Sequence, residues 1–366
     1  MVEKFESAGL DEWPIDVSFP FIISGPCSAE SEEQVITTAR ELKAGGHVNL
    51  LRGGVWKPRT RPNSFEGYGK PALEWLASAK KETGLPITTE VANANHVNLA
   101  LEAGVDVLWI GARTTVNPFS VQEIADALKG VDVPVVVKNP INPDLNLWIG
   151  ALERLYGAGI NKLMAMHRGF SNSAPSMYRN TPMWEIPIAL MSKYPEIPII
   201  NDPSHISGRR DLLKPVAQKA FDLGMHGIMI ESHPDPDSAL SDAKQQITPA
   251  VFNDMMTELH FRKSNDEVED VENELASMRS RIDEIDSRVM HLLSERMDVA
   301  KEIGRVKDKL DITVLQLDRW KSIFESRTQL GKELGFSEAF VKRFLEQLHK
   351  ESIRMQTDIK NKSEKK

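Results

Sequence analysis

Four residues of the types that bind metal ions lie near the ends of apolar runs, or in the loop after the last run, in the first two thirds of this 366-residue chain. They are Cys27, His205, Glu231 and Asp242. A thiol, an imidazole and two carboxylates suit a first-row divalent cation, and such a mixed set can bind several of them. Taken alone, each has an ordinary structural interpretation, because a single cysteine is usually a small core residue. Their shared position after apolar runs favours a metal site.

Six basic residues follow the same kind of run or lie just beyond it. They are Arg52, Lys57, Arg59, Arg113, Lys138 and Arg168. Converging cations repel one another unless an anion lies among them, and arginine forks match carboxylate and phosphate oxygens. The number of cations predicts more than one anionic group, such as two phosphates and a carboxylate. The alternative is scattered surface charge. Glu90 ends another apolar run and adds a carboxylate to the set.

Eight short runs rich in apolar and β-branched residues must position these side chains. The runs span 21–26, 48–54, 86–91, 107–112, 134–139, 162–167, 198–204 and 227–232. Continuous apolar runs separated by amphipathic segments are typical of buried parallel strands joined by helices. Eight of them predict an α/β fold, a (β/α)8 TIM barrel with its active site at the carboxyl ends of the strands. A doubly wound open sheet is the alternative, weakened because no glycine-rich nucleotide fingerprint follows the first run.

The composition changes near residue 263, which predicts a second domain. All 21 prolines lie at or before Pro249, whereas 42 of the last 103 residues are Asp, Glu, Lys or Arg. We therefore predict a barrel over 1–262, a linker over 263–273, a helical domain over 274–360 and a disordered tail over 361–366.

The second domain is predicted to contain three helices. Apolar residues in a 3-4 rhythm from Leu275 to Leu310 predict one long helix. A second helix is expected from about 316 to 330, and a third after Ser337, which suits an N-cap. Three helices with one so long bury little core on their own. We therefore expect a homodimer or a higher homo-oligomer.

Polar residues interrupt the apolar stripes of these helices. Arg296 occupies an apolar position of the rhythm, and Lys307 lies three turns further along, close to the same face. Ser352 and Gln356 interrupt the stripe of the third helix. Together they predict a polar pocket for an anion inside the bundle. The alternative is that Arg296 snorkels and Gln356 faces solvent.

Net charge, cysteine count and the length of the apolar runs disfavour several classes of function. A net charge of −8 argues against nucleic acid or a membrane surface as the main partner. One cysteine cannot form an internal disulfide, and the first thirty residues lack a signal-peptide pattern. No apolar run is long enough to span a bilayer. We therefore expect a cytoplasmic protein.

The first domain contains short motifs that resemble those of a known family. They are GPCSAE (25–30), RGG (52–54), KPRT (57–60), IGAR (110–113), DPSH (202–205) and IESHPDPDSALSDAKQQ (230–246). Through them, residues from about 20 to 260 resemble 3-deoxy-D-arabino-heptulosonate-7-phosphate (DAHP) synthases of the compact type. The resemblance implies condensation of phosphoenolpyruvate with erythrose 4-phosphate, releasing phosphate. Octulosonate-8-phosphate synthases share the barrel, but KPRT favours the four-carbon sugar phosphate.

The resemblance also implies roles for individual residues. The metal ligands would be Cys27, His205, Glu231 and Asp242, holding Mn²⁺ foremost, with Fe²⁺, Co²⁺ or Zn²⁺ as alternatives. Phosphoenolpyruvate would contact Arg52, Lys57, Arg113, Lys138 and Arg168. Erythrose 4-phosphate would contact Pro58, Arg59 and Thr60. Lys57, Glu90 and His205 are expected to act in catalysis, with Glu90 orienting a water. Trp109 and the segment KNP (138–140) depart from the family pattern and are expected to reshape the pocket.

Residues from about 272 to 358 resemble the all-helical chorismate mutases. The motifs are MRSRIDEID (278–286), LLSERMDVAKEIGRVK (292–307), DR (318–319) and ESIRMQ (351–356). The resemblance implies rearrangement of chorismate to prephenate. Chorismate would contact Arg279 from the second subunit and Arg296, Lys307, Arg319, Ser352 and Gln356. Arg296, Lys307 and Gln356 are expected to act in catalysis. Gln316 and Trp320 depart from the pattern, which often has Asp and Glu there.

Two hypotheses follow for the whole chain. The first is a bifunctional enzyme that also responds to prephenate as a feedback ligand. The second is that the helical tail is mainly a regulatory and dimerisation module with weak mutase activity. The sequence further predicts that Cys27 is an exposed thiolate whose oxidation stops condensation and spares the mutase.

Overall fold

The computed structural model describes residues 4–57, 65–172, 176–261 and 272–363. It divides into two units, with the boundary between Ser264 and Asn265.

The first unit is built on eight parallel strands that close into a barrel in chain order. The strands are β1 (Phe21–Gly25), β2 (Leu50–Arg52), β3 (Ile87–Val91), β4 (Val107–Ile110), β5 (Val135–Lys138), β6 (Leu163–His167), β7 (Ile199–Asn201) and β8 (Gly227–Glu231). Each predicted apolar run contains one strand, so the predicted barrel is confirmed. The open-sheet alternative is wrong, because β1 pairs with both β2 and β8.

In the described part of this unit, ten helices surround the strands or lie in the loops beyond them. They are α1 (Glu32–Gly45), α2 (Lys70–Thr83), α3 (Ala94–Glu102), α4 (Ala112–Thr115), α5 (Pro118–Ala127), α6 (Leu145–Gly157), α7 (Glu185–Lys193), α8 (Pro203–Ser207), α9 (Leu213–Asp222) and α10 (Pro249–Glu258). Short 3₁₀ turns occupy Leu10–Glu12, Arg210–Leu212 and Pro236–Ser238. No helix in the described part of the chain is long and apolar enough to cross a membrane.

Successive side chains along each strand point alternately outward and inward, which gives the unit two hydrophobic cores, one beneath the helices and one inside the barrel. On β4, Leu108 and Ile110 face the helices, whereas Val107 and Trp109 face the barrel interior. The interior cluster also receives Val17 from the segment before β1. The carbonyl of Val17 accepts a hydrogen bond from His226, just before β8, so this segment closes the end where the strands begin. The barrel interior is therefore open to ligands at the opposite end, where the strands finish.

The second unit consists of three helices, α11 (Glu272–Lys309), α12 (Leu317–Glu333) and α13 (Glu338–Ser363). Ser337 caps α13 by accepting a hydrogen bond from the backbone N–H of Phe340. The last helix runs through residues 361–363, which the sequence analysis assigned to a disordered tail. No proline or glycine interrupts the helix there. The predicted linker over 263–273 overlaps the first residues of α11.

Candidate active sites

The four metal-type residues of the barrel meet at the carboxyl ends of the strands. One donor atom each from Cys27, Glu231 and Asp242 lies within 4.8 Å of the other two. His205 Nε2 lies 3.8 Å from Glu231 Oε1 and 4.0 Å from Asp242 Oδ2. The cluster therefore offers one sulfur, one nitrogen and carboxylate oxygens around a common centre.

Local backbone features place these side chains. Gly25 has φ +146°, and a Cβ there would lie 2.1 Å from the Arg52 carbonyl oxygen, so only glycine lets the chain turn toward Cys27. Asp202 caps α8 by accepting from the His205 backbone N–H, and its Oδ2 lies 2.8 Å from His205 Nδ1. This contact leaves Nε2 of His205 facing the cluster. Asp242 holds a left-handed φ of 48° in the loop after β8.

Burial and neighbouring charges set the protonation of the cluster. Burial raises the pKa of the Cys27 thiol to about 12, and Glu231 adds to the rise. Burial also opposes ionisation of Asp242, but His205 and Arg179 outweigh it and lower the pKa to about 2. His205 and Arg52 likewise lower the pKa of Glu231 against its burial. One buried carboxylate, Glu231, and one half-buried carboxylate, Asp242, are thus held ionised beside one imidazole.

This donor set fits a divalent metal ion. Glu231 Oε1 is fully buried with no hydrogen-bond donor among the described residues, although Arg52 Nη2 approaches it at 3.2 Å. Arg52 balances the charge of this oxygen, and a coordinated metal ion would supply the direct partner that it lacks. A coordinating thiol loses its proton to the metal, so a bound cation would reverse the raised pKa of Cys27.

Cys27 itself is buried, with 1% of its surface exposed. The prediction of an exposed thiolate is therefore wrong. The side chain lies beneath the loop that carries Lys57, whose Nζ contacts both the carbonyl and the Sγ of Cys27. A lysine lying over this thiol restricts access by oxidants, since oxidation follows exposure and thiolate character.

Cationic side chains line a cavity of 180 Å³ above the metal-type cluster. Its walls include Lys57, Glu90, Arg113, Lys138, Arg168, Arg179, His205 and Asp242. Burial lowers the pKa of Arg168 to about 10, with Arg179 and Arg113 contributing and Asp202 opposing. Such mutual repulsion is relieved by an anion, so the cavity is suited to phosphate and carboxylate groups.

Two buried ion pairs lie beneath this cavity. Lys138 Nζ donates to Asp202 Oδ2 at 2.8 Å, and Arg52 contacts Glu231. Lys138 lines the cavity, whereas Arg52 is not among its lining residues and is tied to Glu231 of the metal-type cluster. Pro58, Arg59 and Thr60, predicted to bind the second substrate, lie outside the described residues.

Two residues that hold this site together were not predicted from the sequence. Arg179 donates to Asp242 Oδ1 at 3.0 Å and to Gln245 Oε1 at 2.7 Å. Arg179 lies well beyond the end of β6, so the expectation that active-site residues follow the strands directly does not identify it. Asp202 contacts both His205 and Lys138. The sequence does indicate Asp202, because this residue begins the motif DPSH three residues before His205.

A second cavity of 500 Å³ lies within the helical unit. Five of the six predicted chorismate contacts line it: Arg296, Lys307, Arg319, Ser352 and Gln356. Arg279 does not line this cavity. It lies seventeen residues before Arg296 on the same helix, about 25 Å away at the α-helical rise.

Hydrogen bonds and burial organise this second cavity. Arg296 Nη1 donates to Ser352 Oγ at 2.7 Å, and Lys307 Nζ donates to the Val314 carbonyl at 2.5 Å. Burial lowers the pKa of both basic groups. Gln356 Oε1 is buried with no partner among the described residues. The cavity therefore offers two fixed cations to an anionic ligand and one unpaired carbonyl oxygen to a donor on that ligand.

Two further residues of this cavity were not predicted. Arg327 lies eight residues after Arg319 on α12, with Ile323 between them on the same face. His349 stacks on Trp320 with ring centroids 3.8 Å apart. Burial, reinforced by Arg296 and Lys307, lowers the pKa of His349. The stacked pair forms an aromatic wall at Trp320, the position that departs from the family pattern.

Comparison with known proteins separates the same two units. Residues 18–265 match the DAHP synthetase I family, and residues 278–357 match chorismate mutase type II. A phospho-2-dehydro-3-deoxyheptonate aldolase of Thermotoga maritima is 34% identical over 238 residues, covering 65% of this chain and 68% of that protein. A 2-dehydro-3-deoxyphosphooctonate aldolase of Polaromonas naphthalenivorans is 29% identical over 251 residues, covering 62% and 84%.

Solved structures that are similar to this chain are also DAHP synthases. The crystal structure of the Thermotoga maritima DAHP synthase aligns with a TM-score of 0.61 and 32% identity, covering 70% of this chain and 72% of that one. A truncated form of the Thermotoga maritima enzyme aligns with a TM-score of 0.59 and 30% identity, covering 70% and 90%.

Proposed function

We propose that both sites catalyse their families' reactions, because the chain belongs to the DAHP synthetase I family over residues 18–265 and carries a chorismate mutase type II domain over 278–357. The observation that carries the proposal is the convergence of two chemistries at one end of the barrel. A metal-type donor cluster lies directly beneath a cationic cavity.

In the barrel, the cations would hold phosphoenolpyruvate. Arg113, Lys138 and Arg168 would bind its phosphate and carboxylate with Arg52 and Lys57, since forked and point cations both match these groups. Fixed cations stabilise the changing charge on the phosphate without reorganising during the reaction. Pro58, Arg59 and Thr60 would hold erythrose 4-phosphate, which brings its aldehyde toward the enol carbon.

Cys27, His205, Glu231 and Asp242 would hold a divalent metal ion, foremost Mn²⁺. When bound, such an ion supplies Lewis acidity toward a substrate carbonyl oxygen. Asp202 would keep Nε2 of His205 directed at the metal by contacting Nδ1. Glu90 lines the same cavity as the cations and would orient the water that adds to the former enol carbon.

Glu90 reaches this position because residue 111 is glycine. A Cβ on Gly111 would lie 2.0 Å from Glu90 Oε1. The carboxylate therefore occupies space that any other residue would fill. The IGAR motif thus supplies both Arg113 for the substrate and room for Glu90.

In the helical unit, Arg296, Arg319 and Ser352 would hold the two carboxylates of chorismate in a compact geometry. The rearrangement needs no acid or base, so positioning and electrostatic stabilisation provide the rate. Lys307 and Gln356 would donate to the ether oxygen as its bond breaks. Both side chains line the same cavity, which supports this role.

A second copy of the chain would complete the mutase site. Every described side chain from 278 to 292 is exposed, including Ile282, Ile285 and Val289. An exposed apolar stripe of this length is typical of an interface. Arg279 lies in this segment, too far from its own cavity to contact chorismate there. We infer that the pairing of two long helices buries the stripe and brings Arg279 to the partner's cavity.

Replacing Ile285 with lysine is expected to convert dimers into monomers and to lower mutase activity, because a charge enters the buried stripe and the second-subunit arginine is lost. Sedimentation velocity and chorismate consumption measure the two effects. Ser287→Lys is the matched control, since it adds the same charge to the opposite face of the helix. An Ile285→Lys chain that sediments as the wild type would contradict the proposed interface.

Prephenate is expected to slow condensation by the full chain, because it is chemically downstream of the barrel's product and the mutase cavity would bind it. DAHP formation is measured with and without prephenate at concentrations that saturate the helical unit. Arg296→Ala should remove the sensitivity by weakening prephenate binding. Condensation that is unaffected by saturating prephenate would rule out feedback while leaving both catalytic assignments intact.

A further inference from the structure

We propose that Trp109 is a positioning residue that orients two cations and one carboxylate of the barrel site from beneath. The inference rests on the proposed condensation site and deepens it. Trp109 is 1% exposed and, with Trp148, is one of the two largest fully buried side chains among the described residues. It projects from β4 into the barrel interior, directly below the cationic cavity.

The face of the indole contacts two basic residues. The guanidinium carbon of Arg52 lies 5.1 Å from the ring centroid, and Lys138 Nζ lies 5.5 Å from it. Both distances fall within the range of about 6 Å for cation–π attraction, which is strongest for tryptophan and increases with burial. The ring carries no net charge. It therefore restrains both cations without neutralising the charge that an anionic substrate needs.

The edge of the same indole contacts a third group. Trp109 Nε1 donates to Glu90 Oε2 at 3.2 Å. The two residues are direct partners between β3 and β4, so the backbone register enforces their proximity. With Gly111 leaving space on the other side, the indole N–H sets the direction of the carboxylate. One rigid side chain thus links the placement of the anion-binding cations to that of Glu90.

The two contacts can be separated experimentally in the full-length protein. Fluorinated tryptophans placed at position 109 keep the shape and the N–H but weaken the negative face of the ring. We expect the dissociation constant for phosphoenolpyruvate to rise with each added fluorine, to about tenfold overall. Trp109→Phe keeps a ring face and removes the N–H. Its kcat should fall about tenfold, with a smaller change in the KM for phosphoenolpyruvate, because Glu90 loses a hydrogen-bond donor to a charged group.

Trp148→Phe is the matched control. Trp148 is equally buried on α6 and donates its N–H to the Val137 carbonyl at 3.1 Å, outside the barrel interior. Its replacement should lower thermal stability and leave kcat and KM unchanged. The fluorinated series does not depend on tolerance of a smaller side chain. A dissociation constant independent of fluorine content, together with a Trp109→Phe kcat equal to the wild type, would overturn the proposal.

Calorimetric binding of phosphoenolpyruvate separates this proposal from the proposed function. A wild-type chain that binds phosphoenolpyruvate but does not condense it would contradict the proposed reaction, while the fluorine series would still report on Trp109. A wild-type chain with no affinity for phosphoenolpyruvate would contradict both.

Discussion

Replacement of Cys27 by alanine is expected to lower the condensation rate of the full chain by about a thousandfold. The change removes one of the three donors that lie within 4.8 Å of one another, with His205 Nε2 beside the two carboxylates. A metal that polarises a carbonyl oxygen supplies several kcal/mol of transition-state stabilisation, and about 4 kcal/mol corresponds to this factor. The mutase activity of the same chain should be unchanged, because the cavity between α11, α12 and α13 contains none of the four donors.

Metal content provides the second readout for Cys27→Ala. After dialysis against a trace of Mn²⁺, the wild type should retain about one ion per barrel and the variant much less. Calorimetry should still detect phosphoenolpyruvate binding, because the arginine and lysine side chains remain. Full condensation activity in the variant, or in the wild type after exhaustive chelation, would contradict the assigned metal site.

Arg296→Ala is expected to lower chorismate consumption by a factor of about 10² to 10³, in the range observed when one preorganised donor to a developing charge is removed. The guanidinium lines the cavity and is fixed by Ser352 on the facing helix. Its loss removes a carboxylate clamp and leaves Ser352 without that partner. Rates are measured from the loss of chorismate in the full-length variant.

Arg354→Ala is the control for this substitution. Arg354 lies in the same motif as Ser352 but is exposed on α13, where it pairs with Glu351 and Asp358. Exposed pairs of this kind contribute little to stability, so neither activity should change. If chorismate consumption in Arg296→Ala equals that of the wild type, the tail is not a mutase of the proposed type. The regulatory alternative would then account for the helical unit.

Most of the barrel could be predicted because burial on both faces leaves a clear pattern in sequence. Strands such as β5 and β8 are continuous apolar runs, and the carboxyl ends of parallel strands converge in a closed barrel. That rule alone brings Cys27, His205 and Glu231 together. It also places Lys138 and Arg168 beside them, before any distance is known.

Residues away from strand ends could not be found in this way. Arg179 reaches Asp242 from a loop whose path depends on tertiary packing, so no local pattern indicates it. The burial of Cys27 was missed because strand register does not reveal that Lys57 lies over the thiol. In the tail, the predicted rhythm located Arg296 and Lys307. The stacking of His349 on Trp320 depends on how α12 and α13 pack.

The most direct test of two separate active sites in one chain measures both reactions in three full-length proteins. DAHP formation from phosphoenolpyruvate and erythrose 4-phosphate is measured beside chorismate consumption for the wild type, Cys27→Ala and Arg296→Ala. Two separate sites predict a crossed pattern, in which the wild type shows both activities, Cys27→Ala loses only condensation and Arg296→Ala loses only the mutase. A wild type lacking either reaction, or a single substitution that abolishes both in a folded protein, would contradict the assignment.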